Sequence, residues 1–329
     1  MDINSGPSHD LINQFVQQPR LQLRNQGLPF TAFYPPGFPM IILAHFRLTK
    51  HISESYGNAS QPYSFSRASR KALHEARVII ADCIGASPEE IYFTSGGTES
   101  DNWAIRGAKK SGKGIITSAI EHHAVLYSCA LYGNEVLYLK PDKYGGIDSE
   151  ILKQKISSET GLVSIMLANN EIGTIEPVAD LAKLAHDKGA IFHTDAVQAI
   201  GHIPIDVEAL GVDLLSASDH KFNGPKGVGF LYVRKGTEIE SFMRGGSQES
   251  GMRAGTENVA SIAAMAVALR NNCADMEVIS NRLCHLEETL LEELNKAGID
   301  FVSTPSALGE RDRSRWGKAA AGDGISLPP

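Results

Sequence analysis

The sequence predicts an α/β protein in which a mostly parallel sheet is covered by helices on both faces. Two observations predict this fold class. Short apolar runs recur through residues 51–255, and most of the segments between them are long enough to form a crossover helix. Strands that are buried on both faces need no alternating polar residues, so continuous apolar runs with helical connections are typical of a parallel sheet. In such sheets, ligands bind beyond the carboxyl ends of the strands.

The elements follow one another in a regular order. Arg67 to Ile84 has apolar residues at helical spacing, which predicts an amphipathic helix. A short strand, Ile91–Thr94, is followed by a glycine turn and a helix from Thr98 to Ala108. The further predicted strands are Gly114–Ser118, Glu135–Leu139, Leu162–Ala168, Ala190–Thr194, Asp213–Ala217 and Val228–Val233.

The two ends of the chain differ from this middle part. Residues 1–50 show no clear periodicity, so we expect an irregular N-terminal segment before a large ligand-binding domain at 51–255. Residues 256–302 are helix-rich and indicate two helices, or one broken helix, at the start of an incomplete small domain. Residues 303–329 have no apolar period and are expected to be disordered.

Composition excludes several classes of function. The formal net charge is −7, with both signs interspersed, so no basic face for nucleic acid or an anionic membrane is expected. No run of about 18 apolar residues predicts a membrane span, and the N-terminus lacks the pattern of a secretory signal. The four cysteines show no CxxC spacing, which predicts neither a zinc site nor a disulfide framework and indicates a reducing cytoplasm.

A lysine follows the predicted strand Asp213–Ala217. The segment Ser218-Asp219-His220-Lys221 leads into a turn that is rich in Gly and Pro. A lysine in a cationic or apolar environment has a lowered pKa, so it can attack a carbonyl group and form a Schiff base. A lone lysine is usually a solvated side chain, but the surrounding motif favours the reactive role.

An acid and a glycine turn follow two other strands. Asp195 comes directly after Ala190–Thr194, where its carboxylate can pair with a pyridinium nitrogen or cap a helix. The turn Ser95-Gly96-Gly97-Thr98 joins a strand to a helix. Glycines let backbone N–H groups approach a phosphate, and a helix N-terminus favours an anion. Such turns are common, so this signal is weak when taken alone.

Histidines and an amide complete the set. Glu121-His122-His123 follows Gly114–Ser118, and an imidazole there can stack on a flat cofactor and move protons. No third ligand has convincing spacing, so no metal site is predicted. Asn170 follows Leu162–Ala168, where it can hydrogen-bond a phenolate oxygen or a substrate, or simply form a turn. Together, the motifs predict one site at one edge of one sheet.

These motifs, in this order, resemble those of the cysteine desulfurases of the class V aminotransferase group. The likeness runs from about Tyr56 to about residue 300, and it implies the fold-type I architecture of transferases that depend on pyridoxal 5′-phosphate (PLP). The matching stretches are Tyr92 to Asn102, Glu121 to Leu126, Ala168 to Gly173, His193 to Gln198, Ser218 to Gly229 and Gly251 to Asn258.

The resemblance implies a role for each candidate residue. Lys221 would carry PLP as a Schiff base and move protons, Asp195 would hold the pyridine nitrogen, and His122 would stack on the ring. Asn170 and Gln198 would contact the ring near its hydroxyl group. The residues implied to hold the phosphate are Gly97, Thr98, Ser218 and His220 of one subunit and Thr256 of the other subunit of a homodimer.

The implied reaction converts L-cysteine to L-alanine plus enzyme-bound sulfur, for iron–sulfur cluster or thio-cofactor biosynthesis. A sulfur acceptor or iron–sulfur scaffold protein would be the partner. Four departures stand against full activity. An Asn-Ala-Ala-Thr segment that helps to wall the site is not found in residues 1–50, and the loop with the catalytic cysteine and the arginine for the substrate carboxylate have no counterpart. Asp219 replaces a favoured Gly or Ala and would add negative charge near the phosphate if it pointed inward.

We therefore expect a PLP-binding protein in which sulfur transfer is impaired. Two alternatives remain open at this point. One is a PLP enzyme of another reaction type, an aminotransferase or a β-lyase, which needs no catalytic cysteine. The other is a non-catalytic, truncated subunit. The cysteines at 83, 129, 273 and 284 are expected in helices rather than on a reactive loop.

Overall fold

A seven-stranded sheet forms the centre of the fold. The structure, a computed structural model, describes residues 38–54, 56–108 and 112–299. The order of the strands across the sheet is β1-β7-β6-β5-β4-β2-β3. In chain order, the strands are β1 (Ile91–Thr94), β2 (Gly114–Ser118), β3 (Val136–Leu139), β4 (Thr160–Ser164), β5 (Ile191–Asp195), β6 (Leu214–Ser218) and β7 (Gly229–Val233).

All neighbouring strands are parallel except at β7, which runs antiparallel to β1 and to β6. The prediction of a mostly parallel sheet is confirmed. The carboxyl ends of β1, β2, β4, β5 and β6 therefore lie at the same edge. Strand bounds agree closely with prediction, except that β4 is shifted and ends at Ser164. The backbone beyond it still follows β5, because Leu167 N–H donates to the Asp195 carbonyl at 2.9 Å.

Helices cover both faces of the sheet. Neighbouring residues of β6 belong to different apolar cores: Leu214 lies in one core with Trp103, and Leu215 lies in the other with Ile80. Burial on both faces explains why the strands are continuous apolar runs. The helices are α1 (Phe38–Glu54), α2 (Arg67–Ile84), α3 (Gly97–Ala108), α4 (His123–Ala130), α5 (Ser149–Lys155), α6 (Val178–His186), α7 (Val207–Leu210) and α8 (Val259–Lys296).

The expectation of an irregular segment up to residue 50 is wrong for its last part, because α1 begins at Phe38 and continues past that position. Ala44 is buried and Leu48 is half-buried, and α1 packs against α8. The packing that buries these positions comes from α8, which lies far away in sequence, so no local pattern shows it. Residues 1–37 lie outside the described residues.

The C-terminal helical region is a single helix, α8, of 38 residues. Its first part is buried against the domain, as at Ile262 and Leu269, whereas Val278 and Leu290 farther along are exposed. The tail predicted at 303–329 lies outside the described residues. Among the helices that the structure describes, none combines the length and apolar character that a membrane crossing requires.

Helix α8 holds the turn that follows β6. The side chain of Asn272 is buried, and its Nδ2 donates to the Phe222 carbonyl at 2.6 Å. Its Oδ1 accepts a hydrogen bond from Nδ2 of Asn223 at 3.0 Å. Asn223 has a φ of 69°, in the left-handed region where asparagine is enriched. These contacts fix the backbone directly after Lys221.

Asp219 is enclosed within the same turn. Its side chain is fully buried, and neither carboxyl oxygen has a hydrogen-bond partner in the part of the chain that the structure describes. A Cβ added at Gly224 would lie 1.6 Å from Asp219 Oδ1, so the turn needs glycine there. Burial raises the pKa of Asp219 to about 9. The negative charge that would weaken phosphate binding is therefore absent at neutral pH.

Replacing Asp219 with Ala should stabilise the protein. The change removes two buried oxygens that lack partners among the described residues, which is worth about 1–3 kcal/mol in the free energy of unfolding. The native state also holds a proton that the unfolded chain releases above the ordinary pKa of 3.8, so this carboxyl makes stability fall as pH rises from 3.8 toward about 9. Urea unfolding across this range should show higher stability and a smaller decline for the variant.

The control for this experiment is Asp82→Ala, which removes an exposed aspartate. It should keep the pH dependence of the wild-type chain. An Asp219→Ala protein that is no more stable than wild type, and declines as steeply with pH, would show that the Asp219 carboxyl is not held unpartnered in the interior.

Candidate active site

One cavity of about 490 Å³ opens at the carboxyl edge of the sheet. It brings together nine of the ten residues that the sequence singles out, and each follows the end of a strand. The tenth residue, Thr256, lies elsewhere. The nine are Gly97 and Thr98 after β1, His122 after β2, Asn170 after β4, Asp195 and Gln198 at the end of β5, and Ser218, His220 and Lys221 at the end of β6.

The glycine turn after β1 is closely packed. A Cβ added at Gly97 would lie 2.6 Å from Cγ2 of Val197, and Gly96 has a φ of 145°. Larger residues therefore cannot replace these glycines without a shift of the turn. Because α3 begins at Gly97, its first N–H groups point into the cavity, where a helix N-terminus favours an anion.

Ser218 and His220 form the neighbouring wall. Ser218 Oγ and His220 Nδ1 are 2.9 Å apart and hydrogen-bonded. Burial, together with the positive charges of Lys221 and Lys226, lowers the pKa of His220. A lowered pKa favours the neutral imidazole. The Ser218–His220 pair then has one N–H or O–H donor left beside the glycine turn, because its other proton lies in the bond between them.

Lys221 and Asp195 face the same cavity from adjacent strands. Lys221 is half-buried, and its backbone carbonyl is hydrogen-bonded to His202 Nε2 at 2.8 Å. Asp195 is buried. Burial raises the pKa of its carboxyl, but the Val197 N–H bond at 2.9 Å and the positive charges of His122 and Lys221 oppose that rise. Charge attraction thus links the lysine and the acid across the cavity.

His122 caps the N-terminus of α4 and is exposed at the mouth of the cavity. Its Nδ1 accepts a hydrogen bond from the Ala124 N–H at 3.1 Å, which orients the ring. The loop that carries Asn170 is held by its neighbour Asn169. Asn169 Nδ2 donates to the Ile120 carbonyl, and its Oδ1 accepts from the Glu171 N–H, each at 2.9 Å.

The cavity is also lined by residues to which the sequence analysis assigned no individual role. Asp101 is the most unusual, because its side chain is only 1% exposed. One oxygen of Asp101, one oxygen of Asp195 and one ring nitrogen of His122 all lie within 4.8 Å of one another. One feature of the sequence could have indicated Asp101 as a cavity residue. It lies one helical turn after Thr98, so both residues are on the same face of α3. The others are Ser95, Gly96, Glu99, Met166, Val197, Lys226 and Gly227.

Thr256 lines a second, smaller cavity of about 160 Å³ instead. Ser95 and Gly227 border both cavities, so the two adjoin. Thr256 is exposed on this chain. The cysteines are also elsewhere: Cys83 lies in α2, Cys129 in α4, and Cys273 and Cys284 in α8, and none of these four described residues lines the main cavity.

Comparison with known proteins places the chain in a family. Residues 46–312 match the family described as "Aminotransferase class-V". The cysteine desulfurase IscS of Methanosarcina thermophila is 50% identical over 253 residues, which cover 75% of this chain and 63% of that protein. The chain thus spans less than two thirds of the length of this relative.

Solved structures give the same result. A NifS-like protein superposes with a TM-score of 0.75 at 38% identity, covering 78% of this chain and 73% of that one. A structure described as SspA in complex with cysteine gives a TM-score of 0.67, also at 38% identity, covering 69% of this chain and 68% of that one. The chain therefore belongs to the class-V aminotransferase family, whose members use PLP, and within it is related to the NifS/IscS-like cysteine desulfurases.

Proposed function

We propose that this chain binds PLP in the main cavity through Lys221 and acts on L-cysteine as a cysteine desulfurase. One observation carries the proposal: a lysine and a buried aspartate from adjacent strands face one cavity that also contains the glycine turn at the start of α3. The similarity to named cysteine desulfurases supports the reaction, and the complex of the related SspA with cysteine supports the substrate class.

The residues present fit the chemistry of PLP. A phosphate needs N–H and hydroxyl donors around a space without side chains. The turn at Gly96 and Gly97 leaves such a space, which a Cβ at Gly97 would narrow, and Ser218 and His220 border it. Thr98 adds a hydroxyl group at the helix N-terminus.

The opposite part of the cavity fits a pyridinium ring. Asp195 Oδ1 accepts from the Val197 N–H, which leaves its other oxygen to accept from a ring N–H. His122 at the mouth can cover one face of the ring, and Asn170 and Gln198 can contact its hydroxyl side. Because Asp101, His122 and Asp195 lie in this cavity, we assign them to the cofactor rather than to a metal ion.

When bound, PLP supplies an electron sink that lets bonds at the α-carbon of an amino acid break. The protein must then hold and move protons. Lys221 Nζ can take a proton from the α-carbon of the substrate and return it to another atom of the substrate. The backbone at Lys221 is held in place, because His202 contacts its carbonyl group and Asn272 of α8 holds the next residue. The negative charge of Asp195 keeps the ring nitrogen protonated.

Desulfuration also needs a thiol from the protein. The thiolate attacks the substrate sulfur, so that L-cysteine and an enzyme thiol become L-alanine and an enzyme persulfide. In the described part of the chain, none of the cysteines at 83, 129, 273 and 284 lines the cavity. We therefore propose that cofactor binding is intact and that sulfur transfer by this chain alone is impaired.

The absence of these cysteines from the cavity also favours a second candidate, a PLP-dependent aminotransferase or β-lyase, which needs no such thiol. A non-catalytic subunit is the remaining alternative.

We propose that two copies of the chain pair. Thr256 is exposed and lies outside the main cavity of its own chain, which fits a role in the phosphate site of the second copy. A sulfur acceptor or an iron–sulfur scaffold protein would take the product sulfur, and the cytoplasm would be the location. The net charge of −7 offers no support for a nucleic-acid partner.

Loss of the Lys221 amine should abolish the covalent attachment of PLP. We expect that wild-type protein mixed with PLP shows a visible absorbance band in addition to the absorbance of free PLP, and that Lys221→Ala does not. Lys226→Ala is the matched control, because Lys226 lines the same cavity. It should keep the band. A band that survives in Lys221→Ala and disappears in Lys226→Ala would contradict the proposal.

The products formed from L-cysteine separate the candidate reactions. Added dithiothreitol can accept sulfur in place of a protein thiol, so a desulfurase with an impaired transfer step should form L-alanine faster with the added thiol. A β-lyase would release pyruvate, ammonia and sulfide, and an aminotransferase would form L-alanine only from an added keto acid. Lys221→Ala should form none of these products. Pyruvate as the main product would replace the desulfurase assignment with the β-lyase one.

A further inference from the structure

Asp101 is a buried acid that belongs to the cofactor site but has so far been given no individual role there. It lies on α3, one turn after Thr98, and its side chain is 1% exposed. It also lines the main cavity. Its carboxyl group and that of Asp195 approach within 4.8 Å. Two carboxylates this close in the interior cannot both ionise easily, because each negative charge raises the free-energy cost of the other.

The two acids differ in what surrounds them. Among the described residues, Oδ1 of Asp101 has no hydrogen-bond partner, and its contact with His193 Nε2, at 3.7 Å, is too long for a hydrogen bond. Burial and the charge of Asp195 raise the pKa of this carboxyl group, and the interaction with the Ser216 hydroxyl, which lowers it, offsets only part of that rise. Asp195 accepts the Val197 N–H and feels the positive charges of His122 and Lys221. The pair is therefore built to place a single negative charge on Asp195.

We propose that Asp101 is a positioning residue that keeps its proton beside Asp195, so that the pair presents one negative charge to the cofactor. The proposal rests on the proposed binding of PLP. A second negative charge would raise the pKa of Asp195, so that Asp195 itself could take up a proton and lose the charge that would hold the ring N–H. A neutral Asp101 avoids this effect while its polar group still closes the wall of the cavity.

A chain of hydrogen bonds behind Asp101 is compatible with this proton. Ser216 Oγ and His193 Nε2 are 3.0 Å apart, and His193 Nδ1 and Ser164 Oγ are 2.8 Å apart. Burial lowers the pKa of His193 to about 3, so its ring is neutral and has one N–H group. With this tautomer Ser216 can donate to Nε2 and Nδ1–H to Ser164, which leaves the Ser216 oxygen able to accept from a protonated Asp101.

Among the described residues, no lysine or arginine forms an ion pair with Asp101. The titratable side chains that face it are Asp195 and His193 on β5 and Glu121 and His122 after β2. Burial raises the pKa of Glu121 to about 8. On α3 itself, Glu99 is paired with Arg253 at 2.7 Å. Burial first, and then the charge of Asp195, raise the pKa of Asp101 well above its ordinary value.

The first test follows stability against pH in the full chain without added PLP. A native state that holds the Asp101 proton loses stability as pH rises above 3.8, because the unfolded chain releases that proton. Asp101→Asn keeps the shape and removes the titration, so its melting temperature should fall less between acidic and alkaline pH. Asp82→Asn, an exposed control with the same change of residue type, should match wild type. An equal fall in Asp101→Asn would overturn the proposal.

The second test uses the visible absorbance of bound PLP during a pH titration. Asn replaces a neutral carboxyl with a neutral amide, so the midpoint should stay where wild type has it. If Asp101 were charged, losing that charge would shift the midpoint by about one pH unit or more. Such a shift would overturn the proposal. A wild-type chain that shows no band at all would instead contradict the proposed function, and the stability test would still decide the state of Asp101.

A measurement on the wild-type chain covers the case in which Asp101→Asn does not fold. Carbon NMR of the aspartate carboxyl groups at neutral pH should show a protonated aspartate in addition to Asp219. A spectrum in which Asp219 alone among the aspartates keeps its proton would contradict the proposal.

Discussion

The structure depends on the fact that parallel strands end at one edge of the sheet. Six strands end there, and the loops after five of them carry the lysine, the acid, the histidine, the amide and the glycine turn. The antiparallel strand β7 fits between β1 and β6 only because its first residue is Gly229. A Cβ there would lie 2.4 Å from the Ala217 carbonyl and 2.7 Å from Gly96 Cα. The sheet therefore brings the β1 turn and the β6 turn together.

Burial of acids in this sheet decides where charge can exist. Asp101, Glu121 and Asp219 are each enclosed with few or no partners in the described structure, and burial raises the pKa of each carboxyl. Asp195 is also buried, but it is close to a backbone N–H and to two groups that can carry positive charge. Of these four carboxyl groups, the one beside the lysine is therefore the best provided with partners for a negative charge. This arrangement suits a cofactor whose ring nitrogen must stay protonated.

The sheet could be predicted well from the sequence because each strand is a continuous apolar run that Gly, Pro and Asp residues set apart. Nine cavity residues could be predicted because each lies at the carboxyl end of a strand or in the loop after it, and strand ends converge in parallel sheets. Helix α1 was missed because the burial of positions such as Ala44 and Leu48 depends on α8, which lies far away in sequence. The importance of Asp101 could not be predicted, since it comes from contacts with β5 and β6 that no local pattern shows.

Attachment of PLP to Lys221, rather than to its neighbour Lys226 in the same cavity, is the central claim. Borohydride reduction of the protein–PLP complex, followed by mass spectrometry of its peptides, tests this claim most directly. We expect the reduced pyridoxyl group on Lys221. Finding it on Lys226, or spread over exposed lysines at the level of random labelling, would contradict the proposed role of Lys221.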